Sequence, residues 1–186
     1  AISLFSGCGG MDLGFVQAGF DVLWANDING FACKTYAHNI GDHIIHGDIT
    51  EIDYQSIPTA DIIIGGFPCQ DFSMLWKRGG VSTDRGNLYK NFVDLVAQKN
   101  PKVFVAENVK GILTANKKPA IKQIIEDFSD TGEIGYNTKA ILVNFANYGV
   151  SQLRERVLII GVRKDLDVEF VAPQVLNTSD NYVPSK

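Results

Sequence analysis

The chain has 186 residues, 45% of them hydrophobic and 20% charged, with 18 glycines and 6 prolines. That is ordinary globular usage, enough for one domain with its own core, and it excludes collagen-like, disordered and coiled-coil readings. A net charge of −4 at pH 7 argues, taken as a whole, against a nucleic-acid binder, because neutralising phosphates needs clustered Lys and Arg.

Short β-branched or aromatic runs alternate with amphipathic stretches. This is the pattern of βαβ units, so an α/β fold is predicted, with a mostly parallel, Rossmann-like sheet flanked by helices. In chain order the predicted strands are Ile2–Phe5, Asp21–Asn26, His43–His46, Asp61–Gly65, Val103–Glu107, Tyr136–Asn144 and Arg156–Val162. The predicted helices are Gly10–Ala18, Gly30–His38, Leu88–Gln98 and Pro119–Phe128, with Asn29 as cap of the second and Pro119 in the first turn of the fourth. Residues 70–86 show neither period and mix three glycines with Lys77, Arg78 and Arg85; a loop of that length inside a compact domain is usually functional. Residues 1–172 read as the folded domain, and the polar stretch 173–186 as an extension or the start of a linker.

No apolar run approaches the roughly 18 residues of a membrane span, and nothing at Ala1 resembles a signal peptide, so a cytoplasmic protein without membrane contact is expected. Cys8, Cys33 and Cys69 lack CxxC or Cys/His ligand spacing, which points away from a disulfide framework and a metal site. Charge is unevenly spread. From Cys69 to Lys122 ten basic residues face four acids, a local +6 against −10 for the remainder. An acidic body with one basic segment can still hold a polyanion on one face, although Lys117 and Lys118 alone read as solvated surface.

Chemistry concentrates in four places. The run Phe5-Ser6-Gly7-Cys8-Gly9-Gly10 lies between a predicted strand and a predicted helix, where glycines let the backbone turn tightly and the helix start presents free N–H groups. Its spacing is neither G-x-G-x-x-G nor a P-loop, which disfavours a dinucleotide or triphosphate. Asp27, at the end of the next strand, stands about where an acid binds ribose hydroxyls, the bland alternative being a helix cap. Asp48 ends the third strand, where it could accept from an adenine amino group.

Cys69 follows the strand Ile62–Gly65 through Gly66-Phe67-Pro68, a poor place for a cysteine acting only as a small hydrophobe, the reading that suits Cys33. Nearby Lys77, Arg78 and Arg85 would favour its thiolate. Glu107 is delivered by Val103-Phe104-Val105-Ala106 to the end of a neighbouring strand, where a partly buried carboxyl suits proton donation. Strand alternation would set Gln152, Arg154 and Arg156 on one side, as forked donors for a phosphate or base carbonyl; pairing with nearby acids is the alternative for either arginine.

In order, these elements resemble the cytosine-C5 DNA methyltransferase family along nearly the whole chain: Phe5 to Gly10, Asp27, Gly47-Asp48-Ile49, Gly66-Phe67-Pro68-Cys69-Gln70, Asp84-Arg85-Gly86-Asn87-Leu88, Glu107-Asn108-Val109, and Tyr148 to Gln152 with Arg154 and Arg156. Ser151 stands where the family more often has proline. The resemblance implies the S-adenosylmethionine-dependent methyltransferase fold. It also implies S-adenosylmethionine as methyl donor, S-adenosylhomocysteine as product, and double-stranded DNA as substrate, in a bacterial restriction-modification setting.

By resemblance, Cys69 attacks C6 of a flipped-out cytosine, Glu107 serves N3, and Arg154 and Arg156 steady the nucleotide. Residues 70–86 would act as a lid, with Gln70, Ser73, Arg85 and Gln152 contacting DNA. Phe5, Ser6, Gly7, Cys8, Gly9, Gly10, Asp27, Ile28, Asp48, Ile49, Pro68 and Leu88 would hold the cofactor. An RNA cytosine methyltransferase and a non-catalytic cofactor-binding subunit are the alternatives. The family continues past Arg156 with a target-recognition region and a last motif that returns to the cofactor pocket. This chain is therefore expected to be part of a longer enzyme, or one subunit beside a second chain.

Overall fold

Ile2, Ser3 and Leu4 are all buried, as a central parallel strand covered on both faces requires, and they form β1 (Ile2–Leu4). The computed structural model describes residues 1–68, 88–115 and 119–184. After β1 come α1 (Gly10–Gln17), β2 (Trp24–Asp27), α2 (Gly30–Asn39), β3 (Ile44–His46) and β4 (Ile62–Gly65). They are followed by α3 (Leu88–Lys99), β5 (Val103–Val109), α4 (Pro119–Ser129), β6 (Tyr136–Asn144) and β7 (Glu155–Arg163). Local chemistry ends α1 and starts α2, the second through the expected Asn29 cap. Gly19 at φ +90° closes α1, with the Phe20 N–H donating back to the Phe15 carbonyl, and the Asn29 side chain caps α2 by accepting from the N–H groups of Phe31 and Ala32.

The strands form one sheet in the order β3-β2-β1-β4-β5-β7-β6. The first five pair in parallel, whereas β7 runs antiparallel to both β5 and β6. All seven predicted strands exist, and the sheet is mostly parallel as expected, with β7 as the strand that reverses. Hydrophobic periodicity marks a strand and carries no direction. The antiparallel ladder also carries β5 to Val109, opposite Arg156, two residues past the predicted end. On the other side of the sheet β2 begins at Trp24, three residues later than predicted, and the Leu23 N–H before it donates to the Ala1 carbonyl.

The chain winds outward from β1 to β3 on one side and from β4 to β5 on the other. Its crossings change direction between β1 and β4, the place where α/β sheets leave a crevice at the carboxyl ends of their strands. Right-handed crossovers put α1 and α2 on one face and α3 and α4 on the opposite one. On the second face Phe92, Phe104, Phe128 and Tyr136 make a continuous aromatic core, with Phe104 stacked on Phe128 at 4.4 Å between centroids. Gly161 of β7 is the floor of that stack, since a Cβ there would lie 2.0 Å from Phe104 Cε1. Gly161→Ala is expected to cost at least the ~1–3 kcal/mol of an overpacked core, measurable as a lower Tm at unchanged fold.

Candidate active site

The turn after β1 owes its shape to three residues in left-handed conformation: Phe5 at φ +53°, Gly7 at +55° and Gly9 at +85°. A bulky side chain such as Phe5 is rare there, and such strain gathers at ligand sites. Hydrogen bonds fix the turn from below. Ser6 donates through both its N–H and its Oγ to the Asn26 carbonyl, and the Gly7 N–H donates to Asp27 Oδ2 at 2.8 Å. The other Asp27 oxygen accepts from the Asn29 N–H at 2.8 Å. Asp27 thus ties the glycine turn to the β2–α2 turn, and capping of α2 falls to Asn29 instead. Each Asp27 oxygen keeps a lone pair for a further donor.

A cavity of about 360 Å³ opens beside this turn. Phe5, Asp27, Ile28, Asp48, Ile49, Pro68 and Leu88, seven of the twelve residues expected to hold a cofactor, line it. Asn26, Gly47 and Gly66 complete its wall. Asn26 was not legible as a site residue: it is buried because its Nδ2 bridges the Ile45 and Gly47 carbonyls, at 3.0 and 2.9 Å, joining β2 to the end of β3. Asp48 both lines the cavity and caps the 3₁₀ turn Ile49–Glu51 by accepting from the Thr50 N–H. Ser6 and Gly10 line a second, larger cavity, Cys8 is exposed, and Gly9 packs against α2.

That second cavity, of about 670 Å³, shares Phe5 and Gly66 with the first. Alternation along β5 explains its position. Phe104, Ala106 and Asn108 are buried toward α3 and α4, while Val105 and Glu107 face the other way, where α1 leaves the sheet partly uncovered. The cavity lies between Met11, Phe15 and Phe20 on one side and Val105, Glu107 and Leu158 on the other.

Glu107 reaches the end of β4 because Gly66 has no side chain: a Cβ on Gly66 would lie 3.2 Å from Glu107 Oε2. Its Oε1 is held by Arg156 Nε at 2.7 Å, in a pair whose side chains are 19% and 22% exposed, sheltered yet reachable from solvent. The alternative reading of Arg156, pairing with an acid, is therefore realised, and the acid is Glu107 itself. Arg154 lines the 670 Å³ cavity beside Glu107, and its guanidinium has no ion-pair partner among the described residues. Strand alternation does not place it, because β7 starts only at Glu155. Instead the Asn144 side chain accepts from the Arg154 N–H, and the Arg154 carbonyl accepts from Phe145. Gln152 is exposed before the strand.

Cys69, Gln70, Ser73 and Arg85, with the rest of the 70–86 loop, lie outside the described residues. Their anchor does not. Asn108 Nδ2 donates to the buried Phe67 carbonyl at 2.9 Å, so the end of β5 grips the segment that leads to Cys69. Asn108→Leu would remove that hydrogen bond, at about 0.5–1.5 kcal/mol. A lower Tm at unchanged fold is expected, read by scanning calorimetry. The stretch from Pro173 is also tied down: the Asn147 carbonyl accepts from the Leu176 and Asn177 N–H groups, and its side chain from the Tyr182 hydroxyl at 2.7 Å. Among the described residues no helix is long and apolar enough to cross a membrane, and no cluster of His, Cys, Asp or Glu could hold a metal ion.

A family model described as C-5 cytosine-specific DNA methylase matches residues 1–186. Type II methyltransferase M.NgoFVII of Neisseria gonorrhoeae is 58% identical over 93% of this chain and 46% of its own length. Type II methyltransferase M.FnuDI of Fusobacterium nucleatum is 40% identical over 100% of this chain and 57% of its own. The DNA (cytosine-5-)-methyltransferase M.ApeKI of Aeropyrum pernix is 40% identical over 89% and 44%. The chain thus spans about half the length of these relatives. Among solved structures, a protein encoded within an Escherichia coli prophage superposes with a TM-score of 0.75 at 32% identity, over 91% of this chain and 48% of that one. The Dnmt2 methyltransferase of S. pombe shares the fold, with a TM-score of 0.72 at 22% identity over 91% and 52%.

Proposed function

Because this chain belongs to the C-5 cytosine-specific DNA methylase family, we propose that it is the catalytic part of a DNA (cytosine-5-)-methyltransferase using S-adenosylmethionine. One observation carries the reading. At the β1/β4 switch point a turn backed by Asp27 and the Glu107–Arg156 pair open onto two cavities with a common wall, and the Asn108-anchored segment leading to Cys69 enters between them.

The residues around the 360 Å³ cavity fit an adenosine group. Phe5, Ile28 and Ile49 supply apolar and aromatic faces, Asp27 carries lone pairs for ribose hydroxyls, and Asp48 is an acceptor for an exocyclic amine. The strained glycine turn lets backbone approach the rest of the molecule, with Ser6 and Gly10 facing the larger space. When bound, the cofactor supplies an electrophilic methyl group.

What the chain itself does follows from the weakness of cytosine C5 as a nucleophile. The Cys69 thiolate forms a bond to C6 while N3 takes a proton from Glu107, so the ring electrons collect at C5. After C5 is methylated its proton leaves to solvent, the Cys69–C6 bond breaks to return the thiolate, and N3 gives its proton back to Glu107. Arg156 orients the carboxylate through this cycle, and Arg154 is placed to hold the nucleotide. Reaching C6 requires the base to leave the duplex, at a cost of a few kcal/mol. Gln70, Ser73, Arg85 and Gln152 are the proposed DNA contacts, within the segment of local positive charge or beside the arginines.

The lengths of the relatives support a further region, in the same chain or a second one, that chooses the DNA sequence. Their Type II names support a cytoplasmic role in restriction-modification. The test is transfer of a tritiated methyl group from S-adenosylmethionine by the full-length protein to unmethylated duplex DNA, followed by nucleoside analysis. Label in 5-methyldeoxycytidine is expected; label in RNA alone, or none, would overturn the proposal.

A further inference from the structure

Resting on the cofactor reading above, we propose that Tyr36 and Asp12 are positioning residues for S-adenosylmethionine: they form a buried strut that holds the glycine turn in its ligand-ready shape. The first observation is steric. Gly9 is packed so closely on α2 that a Cβ there would lie 2.1 Å from Ile40 Cδ1 and 2.8 Å from the Tyr36 ring. The ring is thus the floor on which the turn rests, and Tyr36 is 0% exposed.

The second observation is a chain of hydrogen bonds spanning three elements. The Tyr36 hydroxyl donates to Asp12 Oδ1 at 2.8 Å and lies 3.0 Å from His43 Nε2. The other Asp12 oxygen accepts from Ser3 Oγ at 2.9 Å. Asp12 is 0% exposed in the first turn of α1, Ser3 belongs to β1, and Tyr36 to α2. A carboxylate is taken wholly out of water only where donors meet it, so the position of α1 relative to β1 and α2 is specified by these bonds and not by apolar packing alone.

The consequence concerns a neighbouring bond. Gly7, whose N–H meets Asp27, lies between Ser3 and the start of α1, so any slip of α1 away from α2 pulls that N–H off Asp27 and opens the wall of the 360 Å³ cavity. Ser3 and Asp12 line the 670 Å³ cavity together with Glu107, but Glu107 and the segment leading to Cys69 hang from β5 and β4, on the other side of the switch point, and among the described residues no hydrogen bond ties Glu107 to the strut. The strut therefore acts on cofactor affinity and leaves the chemical step alone.

The experiment compares Tyr36→Phe with Tyr136→Phe in the full-length protein. Tyr136 is an equally buried hydroxyl that donates to the Pro101 carbonyl at 2.8 Å, far from the turn. Tyr36→Phe deletes two hydrogen bonds, to Asp12 and with His43, and Tyr136→Phe one; both keep the ring, so both should lower Tm, Tyr36→Phe the more. Only Tyr36→Phe should bind S-adenosylmethionine more weakly, by about tenfold, with kcat at saturating cofactor within about twofold of wild type. Wild-type affinity in Tyr36→Phe, or an equal loss of affinity in both variants, would overturn the proposal. Failure of the wild-type protein to bind S-adenosylmethionine would instead overturn the reading of the site.

Discussion

Glu107→Gln is expected to lower kcat by roughly 10²- to 10⁴-fold, the span associated with removing a positioned proton donor. The amide keeps the shape of the carboxyl and an oxygen for Arg156 Nε, so the contact that orients it survives. It cannot give a proton to N3 of cytosine. Glu107 is also absent from the lining of the 360 Å³ cavity, so cofactor affinity should stay within about twofold of wild type. Single-turnover methylation with excess enzyme separates the step from product release. Retention of more than about a tenth of the wild-type rate would remove Glu107 from the chemistry.

Cys69→Ser carries the largest expected effect, a fall in methylation of at least about 10⁴-fold, because a serine hydroxyl at neutral pH is not ionised and cannot add to C6 as a thiolate does. Cofactor binding should persist: the wall residue on that side is Pro68, and Asn108 still holds the Phe67 carbonyl. Loss of both methylation and cofactor binding would mean that the substitution disturbs the cavity and says nothing of a nucleophile. Measuring both on one preparation distinguishes the cases.

That residues far apart in the chain would line one cavity beside the glycine turn was legible in the sequence because it depends on local order. A strand must end before a glycine turn can begin, and Asp27 ends β2 while Asp48 and Pro68 follow β3 and β4 by two and three residues, so the switch-point topology brings them together. The Glu107, Arg154 and Arg156 side was legible as residue types and not as contacts. Glu107 and Arg156 pair because β7 runs back along β5 with Val109 opposite Arg156, and no periodicity within either strand encodes that direction. Arg154 appeared to share a strand face with Arg156, yet it precedes the strand and is set by Asn144, an anchor ten residues away.

Asp12 was invisible for another reason. An acid in the first turn of a helix reads as a surface residue favoured by the helix dipole, and only the arrival of Ser3 and Tyr36 allows its burial. The whole-chain charge misled in the same way. A net −4 averages an acidic body with the +6 stretch from Cys69 to Lys122, and the average describes neither part.

The proposed mechanism requires a covalent bond between Cys69 and cytosine C6. Duplex DNA synthesised with 5-fluorocytosine at every cytosine position contains whatever target the enzyme prefers. Fluorine at C5 cannot leave as a proton does, so a methylated adduct cannot eliminate the cysteine. Incubated with this DNA and S-adenosylmethionine, the full-length protein is expected to form a denaturation-resistant complex. Peptide mass spectrometry should place the modified base on Cys69. Methylation of ordinary DNA without any trapped complex, or a complex attached through another residue, would contradict it.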